Sequence, residues 1–139
     1  MEFLAFGTSQ KERVQRFEEN IIAIKRLWTE DVVDMKGSHF ELKGASAATK
    51  PVQKPHPPIW IATWTAAPRA ARRVALHADG WQASGLHSAV DALPDGIGHI
   101  EKACAEIGRD PEEIGRAYVN TIVEFGATPD DGASAVPGI

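Results

Sequence analysis

Two short polar turns hold the residues best suited to chemistry in this chain. Thr63-Trp64-Thr65 follows the apolar run Ile59-Trp60-Ile61-Ala62, and Ala66 to Ala78 beyond it has helical composition. Ser84-Gly85 closes a second run, Trp81-Gln82-Ala83. A turn between the carboxyl end of a strand and the amino end of a helix presents backbone N–H groups with no partner inside the helix. Those groups stand at the positive end of the helix dipole, where an anion, most often a phosphate, binds. The plainer alternative is that Thr65 only caps the helix through its hydroxyl. The residues alone leave both open.

Other reactive side chains are weaker candidates. Arg69, in the first helical turn, is placed to reach a ligand at the turn, whereas Arg72 and Arg73 suit a solvated helix face. His39, His56, His77, His87 and His99 are never three to five residues apart, and with a single cysteine a zinc site is not expected. His87 alone follows the carboxyl end of a strand, where loops carry function in α/β folds. Cys104 falls on an apolar helical stripe and reads as a small core residue. No G-x-G-x-x-G, Walker A or G-x-S-x-G motif occurs.

The elements that position these turns follow from periodicity. Pro57 and Pro58 deny helix to the residues before them, so the chain arrives extended. The run Ile59 to Ala62 is apolar at every position, which predicts a strand buried on both faces of a parallel sheet. Asp79-Gly80 ends the following helix, completing a strand–helix–strand unit. Upstream, Val14, Phe17, Ile21, Ile24 and Trp28 recur at steps of three and four over Lys11 to Trp28, the strongest helical pattern present. Thr8 or Ser9 is its expected cap, with Glu12 near the capping-box position. Val32 to Met35 and Phe40 to Leu42 flank Gly37-Ser38 as a hairpin.

Downstream, Val90, Leu93, Ile97, Ile100, Cys104 and Ile107 mark a second amphipathic helix. Pro94, Gly96 and Gly98 predict irregularity before Gly98 and a firm helix after it. Gly108 is suited to its end, Arg109 to Glu113 to a turn, and Tyr118 to Phe125 to a third strand. From Gly126 the composition predicts a loose tail, giving a domain over 1–125 and a tail over 126–139. Helices alternating with strands mean an α/β fold with a parallel sheet.

Composition narrows the classes. The 139 residues are 43% hydrophobic and 24% charged, ordinary for a globular chain. A net charge of −4 argues against a nucleic-acid partner. One cysteine allows no internal disulfide, so a reducing, cytoplasmic setting is expected. Neither a membrane span nor a secretory leader is expected, since no stretch nears about 20 apolar residues.

Several blocks, in order, resemble the luciferase-like monooxygenase family. They are Leu27-Trp28-Thr29, Gly37-Ser38-His39-Phe40-Glu41-Leu42, Lys50-Pro51-Val52-Gln53, and Pro55-His56-Pro57-Pro58-Ile59-Trp60-Ile61-Ala62. Ala66-Ala67-Pro68-Arg69-Ala70-Ala71-Arg72-Arg73, Ala78-Asp79-Gly80-Trp81 and Ile107-Gly108-Arg109-Asp110-Pro111-Glu112-Glu113 continue the match. The resemblance implies part of a TIM (β/α)8-type barrel, parallel strands alternating with helices, with a small β-hairpin insertion. It also implies FMN or a deazaflavin as cofactor and a small organic substrate. A full barrel needs eight such units and about 250 residues, so this chain resembles the later part only. The strands that carry the family's catalytic groups have no counterpart, and catalytic residues stay unassigned.

What the resemblance carries over is the cofactor's phosphate end, at Ala62, Thr63, Trp64 and Thr65, with Ser84 and Gly85 beside them. Many members hold two glycines where this chain has Ala62-Thr63 and then Trp64; threonine hydroxyls would here serve as donors. The expected function is a fragment of a flavin-dependent oxidoreductase that retains this end of the site. The alternatives are a non-catalytic half-barrel that depends on a partner, or a small α/β ligand-binding domain. A half-barrel is expected to need its missing half or self-association.

Overall fold

The computed structural model describes residues 2–63, 67–84 and 90–119. The chain divides into two compact units, Met1–Pro58 and Ile59–Ile139.

The first unit holds a short helix α1 (Glu2–Ala5), the long helix α2 (Arg13–Thr29) and a hairpin of β1 (Val33–Lys36) and β2 (Glu41–Ala45). α2 forms where the three–four apolar spacing predicts it, with Ile21 and Ala23 buried. The expected cap does not form. Glu12 occupies the N-cap with no side-chain bond, because the Ser9 hydroxyl accepts from Lys11 N–H at 3.2 Å and that of Thr8 donates to Phe3 O at 3.1 Å. Both hydroxyls are used in the turn ahead of the helix.

At the other end of α2, Arg26 grips Glu30 through two bonds of 2.7 and 2.8 Å and reaches Asp34 O at 3.0 Å. Lys50 donates to Leu27 O and Glu30 O, satisfying carbonyls that a helix end leaves open.

The hairpin pairs antiparallel, Met35 opposite Leu42 and Lys36 opposite Glu41, with an irregularity between Val33 and Met35. Its turn is tied to α2 by Glu19, whose carboxylate accepts from Ser38 N–H at 3.0 Å and His39 N–H at 3.2 Å. Gly37 makes room: a Cβ there would stand 2.5 Å from a Glu19 carboxylate oxygen. These amide donors, Ser38 first, hold the Glu19 carboxyl below its usual range.

The second unit alternates β3 (Trp60–Thr63), α3 (Pro68–His77), β4 (Gly80–Ser84), a 3-10 turn (Val90–Ala92), α4 (Leu93–Ile107), another 3-10 turn (Pro111–Glu113) and β5 (Gly115–Val119). The three strands form one sheet in the order β3-β4-β5. Both pairings are parallel, as the alternation predicts. The core joins Ile61, Trp81 and Ala83 of the sheet to Ala71, Val74 and Ala75 of α3 and to Ile100, Ala103 and Cys104 of α4.

Register is set at the amino ends of the strands by Asp79. Its carboxylate accepts from Ile59 N–H at 2.8 Å, its own N–H donates to Ile59 O at 2.8 Å, and its carbonyl accepts from Gly115 N–H at 2.9 Å. Trp60, Gly80 and Gly115 therefore lie side by side. The Trp60 ring lies against both glycines: a Cβ on Gly80 would fall 2.3 Å from the ring, and one on Gly115 would fall 2.9 Å from it.

Four expectations need correction. β3 is buried on one face only: Ile61 is 4% exposed, but Trp60 is 46% exposed. The helices cover the Ile61 face, while Trp60 and Ala62 are exposed on the other. α3 begins at Pro68 with Ala67 as N-cap and no side-chain cap bond, so Thr65 is not its cap. The proline ring fixes a helical φ and its missing N–H costs nothing in that first turn. α4 is regular from Leu93, because Pro94 also falls in the first turn, and only Val90–Ala92 is irregular. β5 begins at Gly115, ahead of the expected Tyr118, since Gly115 must pair with Gly80; positions 120–125 of that expected strand lie outside the described residues, as does the tail. Gly108 ends α4 at φ 71° as expected.

Candidate functional site

The carboxyl ends of β3 and β4 lie next to each other, Thr63 opposite Ala83 with Ser84 one residue beyond. Of the six predicted cofactor positions, Ala62, Thr63 and Ser84 lie within the described residues; Trp64, Thr65 and Gly85 lie outside them, as does His87. The pleat separates the three. Ala62 and Ser84 share the open face with Trp60, whereas Thr63 lies on the helix-covered face with Ile61 and Trp81.

Thr63 is engaged there. The Trp81 indole N–H donates to its hydroxyl oxygen at 2.7 Å, and Trp81 itself is 4% exposed. This contact between residues 18 apart was not legible in the sequence. It follows only once parallel register sets Trp81 opposite Ile61, two positions before Thr63.

After β3 in the chain, α3 opens with Ala67 O already accepting from Ala70 and Ala71 N–H. Pro68 withdraws one donor from the helix start, leaving Arg69 N–H as the next amide without a partner inside the helix. The Arg69 side chain lines a groove of about 310 Å³ between α3 and α4, with Arg72, His99, Lys102 and Glu106. Arg72 pairs with Glu106 at 3.6 Å. A smaller cavity of about 160 Å³ lies between Trp81, Ala83, Arg116 and Tyr118 of the sheet and Leu93 and Ile97 of α4.

Cys104 is fully buried, and burial raises its thiol above the usual value. It is packing, not a nucleophile. Among the described residues no group of three His, Cys, Asp or Glu could hold a metal ion, and no helix is long and apolar enough to cross a membrane.

A parallel sheet whose strands alternate with helices, with polar groups at the strand carboxyl ends, is the plan of a (β/α)8 barrel, of which this chain holds a part. The family model for luciferase-like monooxygenases matches residues 1–134, and the chain belongs to that family. It is 32% identical over 137 residues to the FMNH(2)-dependent dimethylsulfone monooxygenase of Pseudomonas putida, covering 88% of this chain and 37% of the relative. Among solved structures, monooxygenase RslO1 from Streptomyces bottropensis superposes with a TM-score of 0.68 at 26% identity, over 83% of this chain and 35% of that one. An F420-dependent secondary alcohol dehydrogenase shares the fold, with a TM-score of 0.62 at 24% identity over 72% of this chain and 29% of that one. The chain thus spans about a third of the proteins it matches.

Proposed function

We propose that this chain is the part of a flavin-dependent monooxygenase that holds the phosphate end of its cofactor, FMN or a deazaflavin. One observation carries the proposal: β3 and β4 are adjacent and parallel, so their carboxyl ends lie side by side, and α3 follows β3 in the chain. The backbone from Ala62 through Trp64 and Thr65, with Ser84 and Gly85 beside it, would hold the phosphate. The Thr63 hydroxyl, half-buried and already fixed by an indole N–H, fits an anion as a ready donor. The bound cofactor would supply oxygen activation; the residues of this chain bind and orient it.

Catalytic completeness would come from outside these strands. β3 and β5 each pair on one side only among the described residues, and Trp60 and Val119 are exposed on the open face. Further strands, from the same or another polypeptide, would close both edges and cover that face.

Titrating the full chain with FMN and with riboflavin, which lacks the phosphate, tests the site. A hydrogen bond to a charged group contributes about 1.5–3 kcal/mol, so FMN should bind about ten- to a hundredfold tighter. Thr63→Val, which removes the hydroxyl donor and keeps the strand, should reduce that preference and leave riboflavin binding unchanged. Equal affinities for the two ligands in the unaltered chain would refute the phosphate site.

A further inference from the structure

We propose that the groove between α3 and α4 binds a small organic carboxylate. Arg69, Arg72 and Lys102 hold its anionic head, and its apolar body lies on Pro68 and Ala103. None of these residues belongs to the flavin site, so the two sites stand or fall separately.

The helices bring these side chains together from two stripes. α3 buries Ala71, Val74 and Ala75, which leaves Arg69 and Arg72 exposed one turn apart. On α4, His99, Lys102 and Glu106 recur at steps of three and four, so they share one face. The groove that results has a volume of about 310 Å³. Three permanent cations line it against the single carboxylate of Glu106, although the chain as a whole carries a net charge of −4. An anion is the ligand this local charge complements.

Glu106 shows how a carboxylate meets these cations. Its Oε2 stands 3.6 Å from Arg72 Nη1, one long contact between half-exposed groups, and such pairs are weak. A guanidinium offers five N–H donors in a planar fork that matches both oxygens of a carboxylate. Arg72 thus keeps donors that Glu106 does not use, and an incoming carboxylate can displace Glu106. Pro68, Ala103 and the methylene stems of Arg69 and Lys102 supply the apolar surface. Size favours a small molecule over a protein partner. Small-ligand sites occupy roughly 300–1,000 Å³, whereas a stable protein interface takes roughly 20–30 residues from each side.

The test titrates the full chain with benzoate, benzamide and inorganic phosphate, reading the backbone amide NMR resonances of Lys102 and Ala103. Benzoate should shift them saturably. Benzamide keeps the ring without the charge, phosphate keeps the charge without the ring, and each should bind about tenfold more weakly. Arg69→Met and Lys102→Met should each weaken benzoate about two- to fivefold, the loss of one exposed ionic contact. Glu106→Gln removes the competing carboxylate and should tighten benzoate by a similar factor. Lys43→Met, which removes a cation from the hairpin instead, should change nothing.

No saturable shift with benzoate, or benzamide binding as tightly, would overturn the carboxylate site. Phosphate binding as tightly would overturn the apolar body. Weaker benzoate binding in Glu106→Gln, or an equal loss in Lys43→Met and Lys102→Met, would overturn the groove as its seat. None of these results alters the FMN-to-riboflavin preference, which reads the flavin site alone.

Discussion

Replacing Gly80 by alanine tests how the amino end of the sheet is held. The new Cβ would stand 2.3 Å from Trp60 Cδ2 and 2.5 Å from Cε2 and Cε3, well inside the about 3.5–4.0 Å at which carbon atoms rest. More than about an ångström of movement is needed, either by β4 or by the ring. Moving the strand strains the pairing of Gly80 with Trp60 and Gly115, and overpacking of this kind costs about 1–3 kcal/mol. Moving the ring into solvent forfeits its burial. Trp60 is 46% exposed, so about half of the 1.5–3 kcal/mol for a large apolar side chain is lost, about 1 kcal/mol. The smaller of these sets the outcome, so Gly80→Ala should lose about 1 kcal/mol.

Urea unfolding of the full chain reads this as a lower midpoint at constant slope. Gly115→Ala should cost less, because its Cβ would meet the far edge of the ring at 2.9 Å. In a Trp60→Ala background the Gly80→Ala penalty should fall to near zero. If Gly80→Ala costs as much without the indole as with it, the ring does not impose the glycine, and the close approach is not what fixes the residue there.

Two further outcomes are expected. Arg109→Met should lose about 1.5–3 kcal/mol in the same assay, since Nη1 donates to Ala75 O and Ala78 O at 2.8 and 2.9 Å; Glu113→Gln, which alters only an exposed ion pair, should lose under about 1 kcal/mol. Glu19 has a lowered carboxyl value in the folded chain, so its contribution is present above the ordinary carboxylate range and is lost as pH falls through the lowered value. The Ser38 and His39 amide resonances should shift together in that acid window, and Glu19→Gln should abolish the transition.

The alternation of strand and helix, the hairpin and the parallel sheet were legible because each rests on local periodicity. What the sequence hid was the consequence of layers. An unbroken apolar run at Ile59 to Ala62 reads as doubly buried, yet Trp60 lies half exposed on the face opposite Ile61. Pro94 reads as an interruption, and it instead falls in the first turn of α4, as Pro68 does in α3. Thr65 stood where a cap is expected, but Ala67 took that position. At the site, the neighbouring strand ends followed from the alternation. The opposite facing of Thr63 and Ser84 did not, because it depends on strand register, which Asp79, Trp60 and two glycines fix from positions distant in sequence.

Asp79 gives the sheet a datum line. With its amide, carbonyl and carboxylate all committed to Ile59 and Gly115, the lengths of β3, β4 and β5 are all measured from one edge. A one-residue insertion within any of them displaces its far end by about 3.3 Å and turns every later side chain over. Single-residue length changes are therefore costly inside the strands and cheap in the loops beyond their carboxyl ends. Changes of length are thereby steered to the carboxyl ends of the strands, away from the edge from which the sheet is built.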